Sequence, residues 1–187
     1  MKRIRTIYWM SLAAVMVMLA GCLITGTVVI TATVAPDDNG ESIIVSNLDF
    51  SNAELEVNLT DDPTFAEHRD KIKNIDNIGF YLSAENPLTS SATFQLFLVP
   101  DTSLNFDSAQ LLVDSLAQPI LTGLTIPAQT TVTIEWNESM QYVTNLAEFK
   151  DVLQKGVFSL YPAAIPRDNF RIVIDSLVVI VTLTTGD

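Results

Sequence analysis

Few residues in this chain could do chemistry, and they are scattered. A nucleophilic triad needs a base, yet the only histidine, His68, sits inside the charged run Glu67-His68-Arg69-Asp70-Lys71 rather than beside an obvious nucleophile. A solvated surface histidine is the expectation there. One cysteine and one histidine cannot furnish a zinc site of the usual kind. Hard cations take carboxylate and carbonyl oxygens from loops, and two loops offer them: Asp37-Asp38-Asn39-Gly40-Glu41, and Asp101 through Asn105 to Asp107. Neither keeps EF-hand spacing, and Asx-rich turns also form for backbone reasons alone. Asp37, Asp38, Asp101 and Asp107 are therefore calcium candidates by composition only, and no metal is expected. Paired carboxylates for glycoside hydrolysis stand roughly 5–10 Å apart across a cleft. With 22 acids such pairs arise by chance, and the sequence singles none out. Trp136, Tyr142, Tyr161 and Phe106 would make a sugar-stacking platform if exposed, but Trp136 shares the phase of Val132 and Ile134 and is expected in the core.

The strongest signal lies at the start. A basic segment, Met1-Lys2-Arg3-Ile4-Arg5, precedes an apolar run from Ile7 to Leu19 and then small residues, the layout of a secretory signal. Here it ends in the chain's single cysteine. Leu19-Ala20-Gly21-Cys22 resembles the lipobox of bacterial lipoproteins, and the resemblance covers the first 22 positions only. It implies recognition by the signal peptidase at Leu19, Ala20 and Gly21 and cleavage before Cys22. It also implies diacylglycerol on the thiol and a fatty acid on the new amino terminus. Two or three acyl chains give a stable tether where one holds only reversibly. The position after the cysteine, where Asp tends to retain such proteins at the inner membrane, is Leu23. The resemblance thus implies the outer membrane of an organism that has one. Two other readings exist for this region. Cys22 would be a small buried hydrophobe, or an uncleaved helix of roughly 20 residues would cross a bilayer. The β-branched run after Gly26 and the glycines Gly21 and Gly26 oppose that helix.

Cleavage would remove Lys2, Arg3 and Arg5, leaving seven basic residues against 22 acidic ones, a formal charge of −15. Such a surface repels nucleic-acid phosphates and anionic headgroups, so no nucleic-acid partner is expected and the domain should be held off the bilayer it is tied to. Residues 22–187 are read as one domain after a signal at 1–21. Its core must stabilise it without disulfides.

The elements that must position these residues read as mainly β: alternating apolar positions, abundant Val, Ile, Thr and Phe, and frequent turn clusters. The first strand is expected near Gly26–Val34, almost directly after the anchor. Leu55, Val57 and Leu59 alternate inward against Glu54, Glu56 and Asn58 outward. Asp61-Asp62-Pro63 suggests a short capped helix or turn within 64–75. The strand of Ile78, Phe80, Leu82 and Ala84 is expected to form a hairpin with that of Phe94, Leu96 and Leu98. Two more strands lie near 120–126 and 130–136. A helix near 145–155 takes Asn145 and Glu148 as a capping box, Gly156 as its stop, and Leu146, Phe149, Val152 and Leu153 as its apolar face. In the last strand Asp175-Ser176 breaks the alternation, which predicts a bulge, and Leu177–Val181 is apolar on both faces.

The expected fold is an antiparallel β-sandwich, immunoglobulin-like or jelly-roll, with that one inserted amphipathic helix. The expected function is that of a membrane-anchored envelope lipoprotein acting as a non-catalytic binding or structural module, with a glycan or an envelope protein as partner. Two alternatives remain open: an exported polysaccharide hydrolase using loop carboxylates, and a subunit docking through a sheet edge.

Overall fold

The computed structural model describes residues 25–36, 40–100, 106–115 and 117–186. They form nine strands: β1 (Thr25–Ala35), β2 (Ile43–Ser46), β3 (Leu55–Asn58), β4 (Ile72–Asn86), β5 (Ala92–Val99), β6 (Pro119–Ile126), β7 (Thr130–Ile134), β8 (Val157–Ile165) and β9 (Arg171–Gly186). Four helices interrupt them: α1 (Pro63–His68), α2 (Ala109–Asp114), α3 (Trp136–Ser139) and α4 (Leu146–Lys155). One sheet runs β1-β9-β4-β7 with β2 also on β9, and the other runs β3-β8-β5-β6. Both are antiparallel. The molecule is a two-sheet sandwich, and the chain passes repeatedly from one sheet to the other in the strand order of a jelly roll.

Period-2 alternation accounts for the layers. On β9 Leu177, Val179, Val181 and Leu183 are fully buried, while the residues between them are half-buried. On β3 Leu55 and Val57 point inward and Glu56 is exposed. The expected break at Asp175 is a bulge: Ser83 pairs Ser176 and Ala84 pairs Ile174, so Asp175 has no opposite number on β4. Its carboxylate accepts a hydrogen bond from Ser42 Oγ at 2.8 Å.

Three local expectations are corrected. β4 and β5 do not form a hairpin, because the Asn86-Pro87 turn carries the chain across to the opposite sheet. Asn86 is fully buried and holds this arch, donating from Nδ2 to the carbonyls of Ser90 (2.8 Å) and Ile126 (3.1 Å) and accepting from Leu88 N–H. Strand β7 stops at Ile134, and Trp136 begins α3, where a reciprocal Glu135–Glu138 capping box forms. No capping box forms at Asn145. That residue adopts φ +55°, its Nδ2 donates to the Pro119 carbonyl at 3.0 Å, and only its backbone oxygen receives Glu148 N–H. The short capped helix expected after Asp62 is α1, which ends at His68, and β4 starts at Ile72.

The helix near 145–155 is present as α4, burying Phe149, Val152 and Leu153 and ending at Gly156 with φ +84°. A Cβ at Gly156 would lie 2.6 Å from Phe65 Cε1, so glycine is demanded twice over. Helix α1 is capped as the sequence suggests, with Asp62 Oδ1 accepting from Thr64 N–H at 2.7 Å and Phe65 N–H at 3.2 Å. Helix α2 is an additional element, capped by Ser108 Oγ, which accepts from Leu111 N–H at 3.2 Å.

Candidate functional site

Strands β1 and β3 are edges of opposite sheets on the same side of the sandwich. A cleft of about 570 Å³ runs between them, lined by Thr31 to Val34 of β1 and by Glu56, Val57, Asn58, Asp61 and Asp62. Its acids have mixed duties. Asp62 caps α1, and Asn58 Oδ1 accepts from Thr60 N–H at 3.1 Å. The β1 wall has no charge: Thr25-Gly-Thr-Val-Val-Ile-Thr-Ala-Thr-Val-Ala35 runs 11 residues as an edge strand, with Val29 56% exposed. Native sheets usually blunt such an edge with charge, proline or a bulge. Here one irregularity appears, between Thr33 and Ala35.

The outer face of the β3 sheet carries a different assembly. Ser159 Oγ donates to Glu54 Oε1 at 2.5 Å, and Glu54 also faces the buried Tyr161 hydroxyl through a side-chain hydrogen bond. Burial, and secondarily the Glu54 charge, push the Tyr161 phenol well above its ordinary value. Phe106 meets Tyr161 edge-on at 5.2 Å, and Phe50 stacks at 6.3 Å and touches Phe170. These rings make an apolar layer around Tyr161. Tyr161 and Ser159 are fully buried, so this cluster offers no ligand a route to either oxygen. Glu54 was expected on a wet face. The apolar run of β8 on both faces, Phe158 through Ala164, is the sequence signal that it would be covered.

The other sequence candidates do not converge. Leu19, Ala20, Gly21 and Cys22 lie outside the described residues, as do Asp37, Asp38 and Asp101. Asp107 is exposed just before the α2 cap. Among the described residues no group of three or more His, Cys, Asp or Glu side chains is placed to hold a metal. His68 is half-buried at the end of α1, and its Nδ1 has no hydrogen-bond partner. The four aromatics do not make a stacking platform: Phe106 and Tyr161 are interior, Tyr142 is half-buried against the core, and Trp136 lies across Gly79 on the far sheet, where a glycine Cβ would come within 2.5 Å of its ring. A half-buried guanidinium, Arg167, donates to Gln95 Oε1 at 3.3 Å beside a hollow of about 420 Å³ that Asp168 also lines.

No protein-family model matches the sequence, and no curated protein matches it. Solved structures share the outline distantly. The xylanase 10B modules of Clostridium thermocellum in complex with xylohexaose align at TM-score 0.35 and 9% identity, over 82% of this chain and 24% of that one. The turnip yellow mosaic virus structure aligns at TM-score 0.31 and 11% identity, over 87% and 80% of the two chains. A Macrobrachium rosenbergii nodavirus particle aligns at TM-score 0.32 and 11% identity, over 88% and 96%. The present chain thus spans about a quarter of the xylanase chain it matches. At these scores the likenesses carry no functional argument.

Proposed function

We propose that the chain is a bacterial envelope lipoprotein, cleaved before Cys22 and tethered by lipid there, whose sandwich works as a non-catalytic binding or structural module. In an organism with two membranes the tether sits in the outer one. The observation that supports this reading is the closeness of Leu19-Ala20-Gly21-Cys22 to a folded strand that starts at Thr25, three residues further on. Because Gly26 and the β-branched residues after it belong to strand β1, an uncleaved helix could not continue past Ile24. The test is processing of Cys22→Ser. Cells making this variant should accumulate the uncut precursor, whereas cutting at the same bond with release from membranes would contradict the reading.

A second reading is favoured by β1 itself. An uncharged edge of 11 residues beside acidic Glu56 and Asp61 suits strand addition by an extended segment of an envelope protein that carries basic side chains. A photoreactive residue at Val29 should crosslink to that segment in intact envelopes. Thr31→Lys with Thr33→Lys should abolish the crosslink, and an undiminished crosslink in this variant would contradict edge docking.

A further inference from the structure

We infer that the end of the sandwich from which the tether leaves seats on anionic lipid headgroups; this inference rests on the anchored reading above. The register fixes which end that is. Thr25 pairs Gly186, and Ile72 of β4 pairs Thr185, so the start of β1 and the start of β4 lie at the same end. Lys71 and Lys73 flank Ile72 and are exposed, and the Lys73 side chain runs against Gly186. Helix α4 crosses the same end: Gln154 Nε2 donates to the Ile72 carbonyl at 3.1 Å, and Lys150 Nζ donates to Asn74 Oδ1 at 2.9 Å. Lys155 and Arg69 line one hollow with Gln154, Asp70 and Asp151.

Arg69, Lys71, Lys73, Lys150 and Lys155 therefore gather at one end, and every lysine after residue 22 is among them. The other two basic residues, Arg167 and Arg171, lie where β9 begins, at the opposite end. On the two segments that build the tether end, 63–77 and 146–155, five basic residues meet Glu67, Asp70, Asp76, Glu148 and Asp151 and cancel them. The rest of the chain after residue 21 carries the formal −15, and of its acids Asp187 follows Gly186 directly in sequence. Lysine and arginine heads on long stems reach further than the short carboxylates among them. Whole-chain charge predicts repulsion from an anionic surface, but screening confines that repulsion to within about 10 Å of the charges, so the facing end decides.

Distance makes the contact unavoidable. Leu23 and Ile24 alone separate Cys22 from Thr25, and three residue steps span at most about 11 Å. Each basic residue held near an anionic surface contributes about a fivefold gain in binding.

The experiment uses the full lipidated protein added to vesicles of phosphatidylcholine alone, or with roughly 30% phosphatidylglycerol, and reads lysine acetylation rates by mass spectrometry. Acetylation of Lys71, Lys73, Lys150 and Lys155 should be about fivefold slower on the anionic vesicles, and about 0.5 M salt should restore it. In the variant Lys71→Gln, Lys73→Gln, the protection of Lys150 and Lys155 should fall. Equal rates on both vesicles, with lipid present on Cys22 by mass, would overturn the seating alone. A bare Cys22 would overturn the anchored reading, and the seating with it.

Discussion

Tyr161 is where a single side chain reports most about the interior. Its hydroxyl is sealed between Glu54, Phe50 and Phe106, and burial holds the phenol in its neutral form above the ordinary range. A raised value in the folded state stabilises nothing extra below about pH 10, where the neutral form prevails in both states. Above that pH the unfolded chain loses the proton and the folded chain keeps it, so stability falls by about 1.4 kcal/mol per pH unit from this group. Tyr161→Phe removes that dependence, at a cost of about 1 kcal/mol at neutral pH for the lost hydrogen bond to Glu54. Urea midpoints at pH 9 and pH 11 should drop more steeply for the wild type than for the variant; parallel drops would mean the hydroxyl is solvated. Residue types alone did not reveal this cluster. Alternation along β3 gives Glu54 the same wet face as Glu56, and only Glu54's hydrogen bonds to Ser159 and to Tyr161, which Phe50 and Phe106 cover, separate their environments.

Among the elements, the strands were legible and their partners were not. The limits of β1, the inward phase of Leu55 and Val57, the stop at Gly156 and the bulge at Asp175 all follow from local chemistry. The arch at Asn86 does not, because a hairpin and a crossing between sheets call for the same turn residues; a buried side chain pairing with Ile126 makes the choice here. Trp136 misled in a similar way. It keeps the phase of Val132 and Ile134 but lies one step past the strand, on a short helix that docks over Gly79. Ser139 Oγ accepts from Phe80 N–H at 2.8 Å and donates to the Trp136 carbonyl at 2.7 Å, tying α3 to β4. Gly79→Ala should displace the indole and cost about 1–3 kcal/mol. Trp136 is the only tryptophan after residue 22, so its emission should shift to the red in the mature variant. An unshifted spectrum with unchanged stability would show that α3 is not held in this way.

For the whole molecule, fold class came from patterning and charge placement came only from topology. Nine strands of alternating residues specify two antiparallel sheets, but nothing local to Lys71 or Lys150 indicates that β4 and α4 bring them to the end where β1 starts. Three features meet in that arrangement: an acidic body, an end where lysines offset the acids, and a first strand that starts three residues after Cys22. Their common premise is the lipid on Cys22. The intact mass of the protein extracted from its native membranes examines it directly: the chain should have lost residues 1–21 and gained diacylglycerol plus one acyl group. A mass equal to the full 187 residues, or to a cleaved chain with an unmodified thiol, would contradict it.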